Sequence, residues 1–246
     1  MSINIDMRND GRNNGELRKI EIITDFTETS GGSVLINWGR TRVLCTALLE
    51  DGTMPFLIGT GKGWLTAEYA MLPSSTGTRK KREASKPDGR STEIKRIIGR
   101  SLRDAVDYVK LGEKTIWIDC DVLQADGGTR TASVTGAYVA LVLGVRKWLA
   151  NGLIEQNPLV HQIAAVSAGI VGEEAMLDLC YREDSAAQVD MNIVADETGS
   201  FIEVQGTGEG RAFTPEELKK LLALGEKGIK QIMKLQNDAL KKAAKE

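Results

Sequence analysis

Apolar and polar positions alternate with a period of two over much of the chain. Between 115 and 123, Ile116, Ile118, Cys120 and Val122 alternate with Trp117, Asp119, Asp121 and Leu123, which predicts a strand. Ile20, Ile22 and Phe26 lead into Ser30-Gly31-Gly32, a hairpin turn, and apolar runs at 34–36 and 43–49 follow as strands with Gly39 between them. Residues 64–72 read as a further strand, 164–171 and 176–181 as a hairpin about Gly172, and 189–194 and 201–205 as two more strands. Three segments switch to helical spacing. One starts near Ser91, with Ile94, Ile97, Ile98, Leu102, Ala105 and Val106 as its stripe. A second runs from 131 to 149. A third begins at Thr214-Pro215-Glu216-Glu217, a capping box with proline at the first helical position, and its lysine-rich end at 241–246 is expected to fray.

The junction of the strand at 115–123 with the second helix carries candidate chemistry. Asp126-Gly127-Gly128 breaks the alternation, because adjacent glycines reach backbone angles other residues avoid. Gly128, Thr129 and Arg130 then fall at a helix N-terminus, where unpaired N–H groups and the positive dipole end favour an anion. Thr129 adds a hydroxyl and Arg130 a permanently charged fork. Two readings fit these residues alone: an anion site, or a well-capped turn with a solvated arginine.

Composition changes the picture only by exclusion. At 246 residues the chain can bury a full core. With 32 basic and 34 acidic residues, overall charge does not announce a nucleic-acid binder. Cys45, Cys120 and Cys180 each sit in an apolar run without CxxC spacing, so neither a disulfide framework nor a cysteine zinc site is implied. The single histidine, His161, reads as a surface residue and argues against a Ser-His-Asp triad. There is no signal peptide or membrane-length apolar run, so a cytoplasmic location away from membranes is expected.

Charge distribution is more informative. Between 79 and 103, ten cations stand against Glu83, Asp88 and Glu93, leaving net +7 in 25 residues. The first part of this run, around Arg79, Lys80, Lys81 and Arg82, reads as a mobile loop, and the second part is the helix that opens near Arg90. A basic loop entering a basic helix suits a polyanion, and a solvated charged face fits as well. Arg8, Arg12 and Arg18 lie in a polar segment at 1–18; they could touch an anion, but composition favours a flexible basic lead-in. GTGKGW at 59–64 lacks the spacing of a phosphate loop and precedes a strand, so it reads as a glycine-rich turn or subunit contact. Asp184 and Asp190 would lie ~20 Å apart along one straight strand. They can share a metal only if 185–187 fold back. Otherwise Asp184 is a turn residue and Asp190 is paired with an arginine.

Several blocks taken together resemble one family. DGRNNGELR, GKGWLTAEYAMLP, GRSTEIKRIIGRSLR, TIWIDCDVLQADGGTRTASVTGA, EDSAAQVDMNIV and VQGTGE occur in the order seen in bacterial members of the ribonuclease PH family, from about residue 7 to about 235. The resemblance implies an α/β fold in which residues 1–246 form a single domain of paired βαβα halves, with a lead-in at 1–18 and a C-terminal helix at 214–246. It implies a phosphate-dependent 3′-to-5′ exoribonuclease that trims tRNA precursors and other RNA 3′ ends, using inorganic phosphate and releasing nucleoside diphosphates. It also implies a homohexamer, a trimer of dimers. The family's phosphate site falls on Arg90, Gly128, Thr129 and Arg130. The acidic pair that holds Mg²⁺ and serves catalysis falls on Asp184 and Asp190, and the RNA-contacting basic loop on Arg79, Lys80, Lys81 and Arg82. Two positions depart from the family pattern: Lys19 replaces a usual proline and Gln188 a usual glutamate. A non-catalytic ring subunit and a metal-dependent hydrolase are the competing readings.

Overall fold

The computed structural model describes residues 8, 10–81 and 88–245. The first half is a five-stranded sheet of β1 (Ile20–Thr24), β2 (Gly32–Trp38), β3 (Thr41–Asp51), β4 (Trp64–Met71) and β5 (Lys114–Gln124), in the order β1-β2-β3-β5-β4. Only β4 and β5 run parallel, joined through α1 (Gly89–Arg103) and the short α2 (Tyr108–Leu111). The second half is an antiparallel sheet of β6 (Ile163–Val171), β7 (Glu174–Leu177), β8 (Val189–Asp196) and β9 (Phe201–Gly208), in the order β7-β6-β8-β9. A four-residue helix, α4 (Tyr181–Asp184), links β7 to β8, and α5 (Pro215–Ala243) packs against β6 and β7. This mixed α/β architecture agrees with the fold class expected from the sequence.

The two sheets meet on α3 (Thr129–Ala150), which is buried on nearly every side. A helix apolar all round has no solvent face to present, so it can only lie in a core. It packs on β2, β3 and β5 on one side and on β6 and β8 on the other. The approach is close: a Cβ on Gly32 would sit 1.8 Å from the carbonyl oxygen of Ala140. In β5, Ile116, Ile118, Cys120 and Val122 are buried toward this core, as their alternation predicts.

Some expectations change. The lead-in is not loose where it is described: Arg8 and Arg18 are 6% and 5% exposed. Each guanidinium is satisfied by a carboxylate of the second half, Glu183 for Arg8 and Asp178 for Arg18, so neither offers itself to an external anion. The strand expected at 176–181 stops at Leu177. Asp178 adopts a positive φ of 55° and turns the chain, and Cys180 then caps α4. The last helix continues through Ala243, and residues 244–245 form a turn. His161 is half-buried at the surface and bonds Glu197 at 3.1 Å. Cys45 and Cys120 face each other on β3 and β5 as free thiols. Among the described residues, no helix is long and apolar enough to cross a membrane.

Candidate functional site

The turn after β5 is held from its neighbours before it reaches α3. Ala125 N donates to Ser75 O at 2.8 Å. Asp126 N donates to the Thr41 hydroxyl at 2.9 Å, and that hydroxyl donates to Gly127 O at 2.7 Å. Gly127 and Gly128 are both left-handed, with φ of 75° and 67°, a conformation that costs a residue with a Cβ. Gly128 is the N-cap of α3 and its carbonyl accepts from Ala132 N at 3.0 Å. The first-turn amides that follow have no intrahelical acceptor.

Thr129 and Arg130 stand on this first turn. Thr129 is buried, and its Oγ1 accepts from the Tyr69 hydroxyl at 3.0 Å, which leaves its own proton to donate. Arg130 is steered by Gln205, whose Oε1 accepts from Nη1 at 3.3 Å, and by Glu93 at 3.7 Å. Gln205 in turn donates to Glu93 at 2.7 Å. Arg130 Nε is buried with no hydrogen-bond partner among the described residues. A buried charged donor without an acceptor is costly, and an anionic ligand would remove that cost. Arg90, in the first turn of α1 behind its cap Asp88, is exposed and lines the same cleft.

The carboxylates reach this cleft from the second sheet. Asp190 is on β8, and Asn192 lies two residues on and so on the same face, its Nδ2 donating to Asp190 Oδ2 at 3.4 Å. Asp184 ends α4. The chain then folds back, Ser185 N bonding Tyr181 O at 2.9 Å and Ala187 N bonding Asp184 O at 3.2 Å. One cleft is therefore lined by Arg90, Gly128, Thr129, Arg130, Asp184 and Asp190, joined by Ser167, Leu179 and Asn192. Burial raises the pKa of Asp184, with Arg90 and Arg130 opposing. Asp190 is pushed up to about 6, first by burial and then by the charge of Asp184. Two hard oxygen donors short of compensating positive charge fit a divalent cation such as Mg²⁺. No cluster of three or more metal-binding side chains occurs among the described residues, so water or substrate oxygens would have to complete its shell.

The basic run divides. On α1, Lys95 pairs with Glu68, Arg100 with Glu203, and Arg103 lies 4.9 Å above the Trp64 ring, so much of that cationic face is met by the protein itself. Arg79 and Lys81 are exposed, whereas Lys80 is half-buried, its backbone N bonding Pro73 O at 2.8 Å. Arg82 lies outside the described residues. The root of this segment is tied to the site through the bond between Ser75 and Ala125.

Sequence reasoning did not reach Tyr69, Glu93, Ser167, Asn192 or Gln205. The period-two pattern offered a signal for Asn192, which shares a strand face with Asp190. Ser167 follows, because it is opposite Asn192 in the register of β6 and β8.

Comparison with known proteins adds a family. The description of the 3′ exoribonuclease family, domain 1, matches residues 16–145, and that of domain 2 matches residues 161–228. Among solved structures, rice (Oryza sativa) Rrp46 is similar over 95% of this chain and 100% of its own, with a TM-score of 0.78 and 19% identity. A chain of the Archaeoglobus fulgidus exosome with RNA bound to the active site is similar over 93% of this chain and 92% of its own, with a TM-score of 0.79 and 24% identity. A chain of an archaeal exosome core matches with a TM-score of 0.75 and 23% identity over 94% of this chain and 92% of its own. At these identities the structures attest to the fold.

Proposed function

The chain belongs to the 3′ exoribonuclease family, and on that footing we propose that it is a phosphorolytic exoribonuclease of the ribonuclease PH kind, trimming the 3′ ends of tRNA precursors and other RNAs. One observation supports this above others. The unpartnered Arg130 Nε and the open amides of α3 share a cleft with two carboxylates of raised pKa. A hydrolase using the same carboxylates with water has no need of the anion half.

Inorganic phosphate and the terminal phosphodiester are both anions, so their approach must be offset by fixed positive charge. Arg90, Arg130 and the amides at Gly128, Thr129 and Arg130 would hold the attacking phosphate, with Thr129 donating its hydroxyl proton to a phosphate oxygen. The attack transfers the terminal nucleotide to phosphate and releases a nucleoside diphosphate, with the shortened RNA keeping its 3′-oxygen. Asp184 and Asp190 would hold a Mg²⁺ ion, which supplies positive charge for the scissile group and the leaving oxygen. Position and charge are most of what phosphoryl transfer requires, and no histidine is needed.

Arg79, Lys80, Lys81 and Arg82 would hold phosphates of the RNA body. The chain would act as one domain, assembled as a cytoplasmic homohexamer. The deciding experiment incubates the protein and Mg²⁺ with a tRNA precursor, with and without phosphate. Nucleoside diphosphates formed only with phosphate support phosphorolysis. Monophosphates without phosphate would indicate a hydrolase, and no product at all a ring subunit that binds without cutting.

A further inference from the structure

Arg18 is a buried cation that the chemistry above does not use. Its guanidinium is divided between two segments of the chain. Nε and Nη2 donate to both carboxylate oxygens of Asp178, at 2.6 to 3.1 Å. Nη1 donates to the backbone oxygen of Asp126 at 2.6 Å. The first segment leads into α4, which ends on Asp184. The second is the glycine turn whose next residues present the anion-binding amides.

Both segments take backbone conformations that need support. Asp178 is a non-glycine residue at positive φ, completely buried, and it also accepts from the backbone N of Arg18 at 2.6 Å and from Trp38 Nε1 at 2.9 Å. The glycine turn has two consecutive left-handed residues. The segments touch through backbone: a Cβ on Gly127 would lie 2.7 Å from backbone atoms of Leu179, Cys180 and Tyr181. On the far side of the turn, Thr41 bonds Asp126 and Gly127.

We infer that Arg18 is a positioning residue, clamping the anion-binding turn 126–128 to the segment 178–184 and so setting the phosphate half of the cleft against the carboxylate half. The inference rests on the phosphate reading of that cleft. It requires a planar fork. A lysine can keep the charge beside Asp178 but cannot also reach Asp126 O in the same geometry.

Arg8 provides the control. It too is a buried arginine paired with a carboxylate, Glu183, and it donates to Leu177 O at 2.7 Å and Asp178 O at 2.8 Å. These partners lie at 177–183, and a longer bond at 3.4 Å goes to Glu16 O in the lead-in, so Arg8 holds the carboxylate side and is not seen to bond the turn 126–128. The test measures the KM for inorganic phosphate, kcat, and phosphate binding by calorimetry without RNA, for Arg18→Lys, Thr41→Val, Arg8→Lys and Arg130→Ala. Arg18→Lys and Thr41→Val are each expected to raise the phosphate KM about tenfold, as displacement of the turn by enough to lose one charge-assisted phosphate contact would. The calorimetric affinity should weaken in parallel, while Arg8→Lys stays within about twofold on both measures. Thr41→Val keeps the test open if Arg18→Lys fails to fold. Equal effects of Arg18→Lys and Arg8→Lys, scaling with loss of Tm, would reduce Arg18 to a structural ion pair and overturn the inference. So would unchanged phosphate binding in Arg18→Lys and Thr41→Val when Arg130→Ala has lost it. If Arg130→Ala also binds phosphate normally, the phosphate reading fails and this inference with it.

Discussion

The charge of Asp184 helps to raise the pKa of Asp190 to about 6, with burial as the larger cause. The pair therefore destabilises the folded protein at neutral pH, because folding must keep both carboxylates ionised in one cleft. Below the ordinary value of 3.8 the Asp190 carboxyl is protonated in folded and unfolded chains alike, and the penalty vanishes. Stability is lost as pH rises through about 6, where the folded protein gives up that proton. Asp190→Asn should raise stability by about 3 kcal/mol at pH 7.5 with divalent cations chelated, and by almost nothing at pH ~3. Urea unfolding at the two pH values checks it. A variant less stable than the parent at pH 7.5 would show that Asp190 is held by partners that welcome its charge.

The same proton should appear in the reaction. With little Mg²⁺, kcat/KM should fall on the acid side with a midpoint near the Asp190 value of about 6. Saturating Mg²⁺ favours the ionised pair and should move that limb to lower pH. A limb that ignores the Mg²⁺ concentration would remove the two aspartates from the metal site.

Arg130→Ala and Arg90→Ala should weaken phosphate use far more than RNA binding. Loss of one charge-assisted hydrogen bond costs roughly 1.5–3 kcal/mol, or about tenfold to over a hundredfold in phosphate KM. Arg130 should show the larger effect, since it is steered by Gln205 and Glu93 whereas Arg90 is exposed. Kinetics at varied phosphate decide, and an unchanged KM in both variants would discard the anion site.

Replacing Arg79, Lys80 and Lys81 together with Ala should raise the KM for a tRNA precursor but barely change it for a very short oligonucleotide. Contacts to the phosphates of the RNA body add affinity without sequence preference, and their loss makes the salt dependence shallower. Binding titrations across a salt series measure the slope. Equal loss on both substrates would place these residues in the chemistry.

How far the site could be read in advance depended on where each partner lies in the chain. The anion turn was legible because strand, glycine pair and helix are contiguous from 115 to 136, so Gly128, Thr129 and Arg130 could be placed from local pattern alone. The fold-back that brings Asp184 toward Asp190 was legible only as a condition, since small residues at 185–187 permit it without requiring it. The short helix α4 was not foreseen. Four residues give no helical period, and the apolar pattern of β7 runs on past the bend at Asp178. Arg8 and Arg18 were read as a loose basic segment because the carboxylates that meet them lie 175 and 160 residues further along the chain. The pairing of α1 cations with Glu68 and Glu203 was hidden for the same reason.

Those two arginines also set an order of events. Arg8 waits for a partner 175 residues further along and Arg18 for one 160 residues further along. During synthesis the glycine turn can emerge and α3 can begin to form while Asp178 and Glu183 do not yet exist. Closing so long a loop is among the slow steps of folding. Until it closes, the turn at 126–128 lacks its tie through Arg18 to Asp178, and Arg8 and Arg18 lack the buried carboxylates that meet them in the folded chain. A chain that stops before the second sheet is made would therefore lack both carboxylates of the cleft and the bonds between Arg18 and Asp178. A half-made chain thus holds neither side of the cleft in its final place.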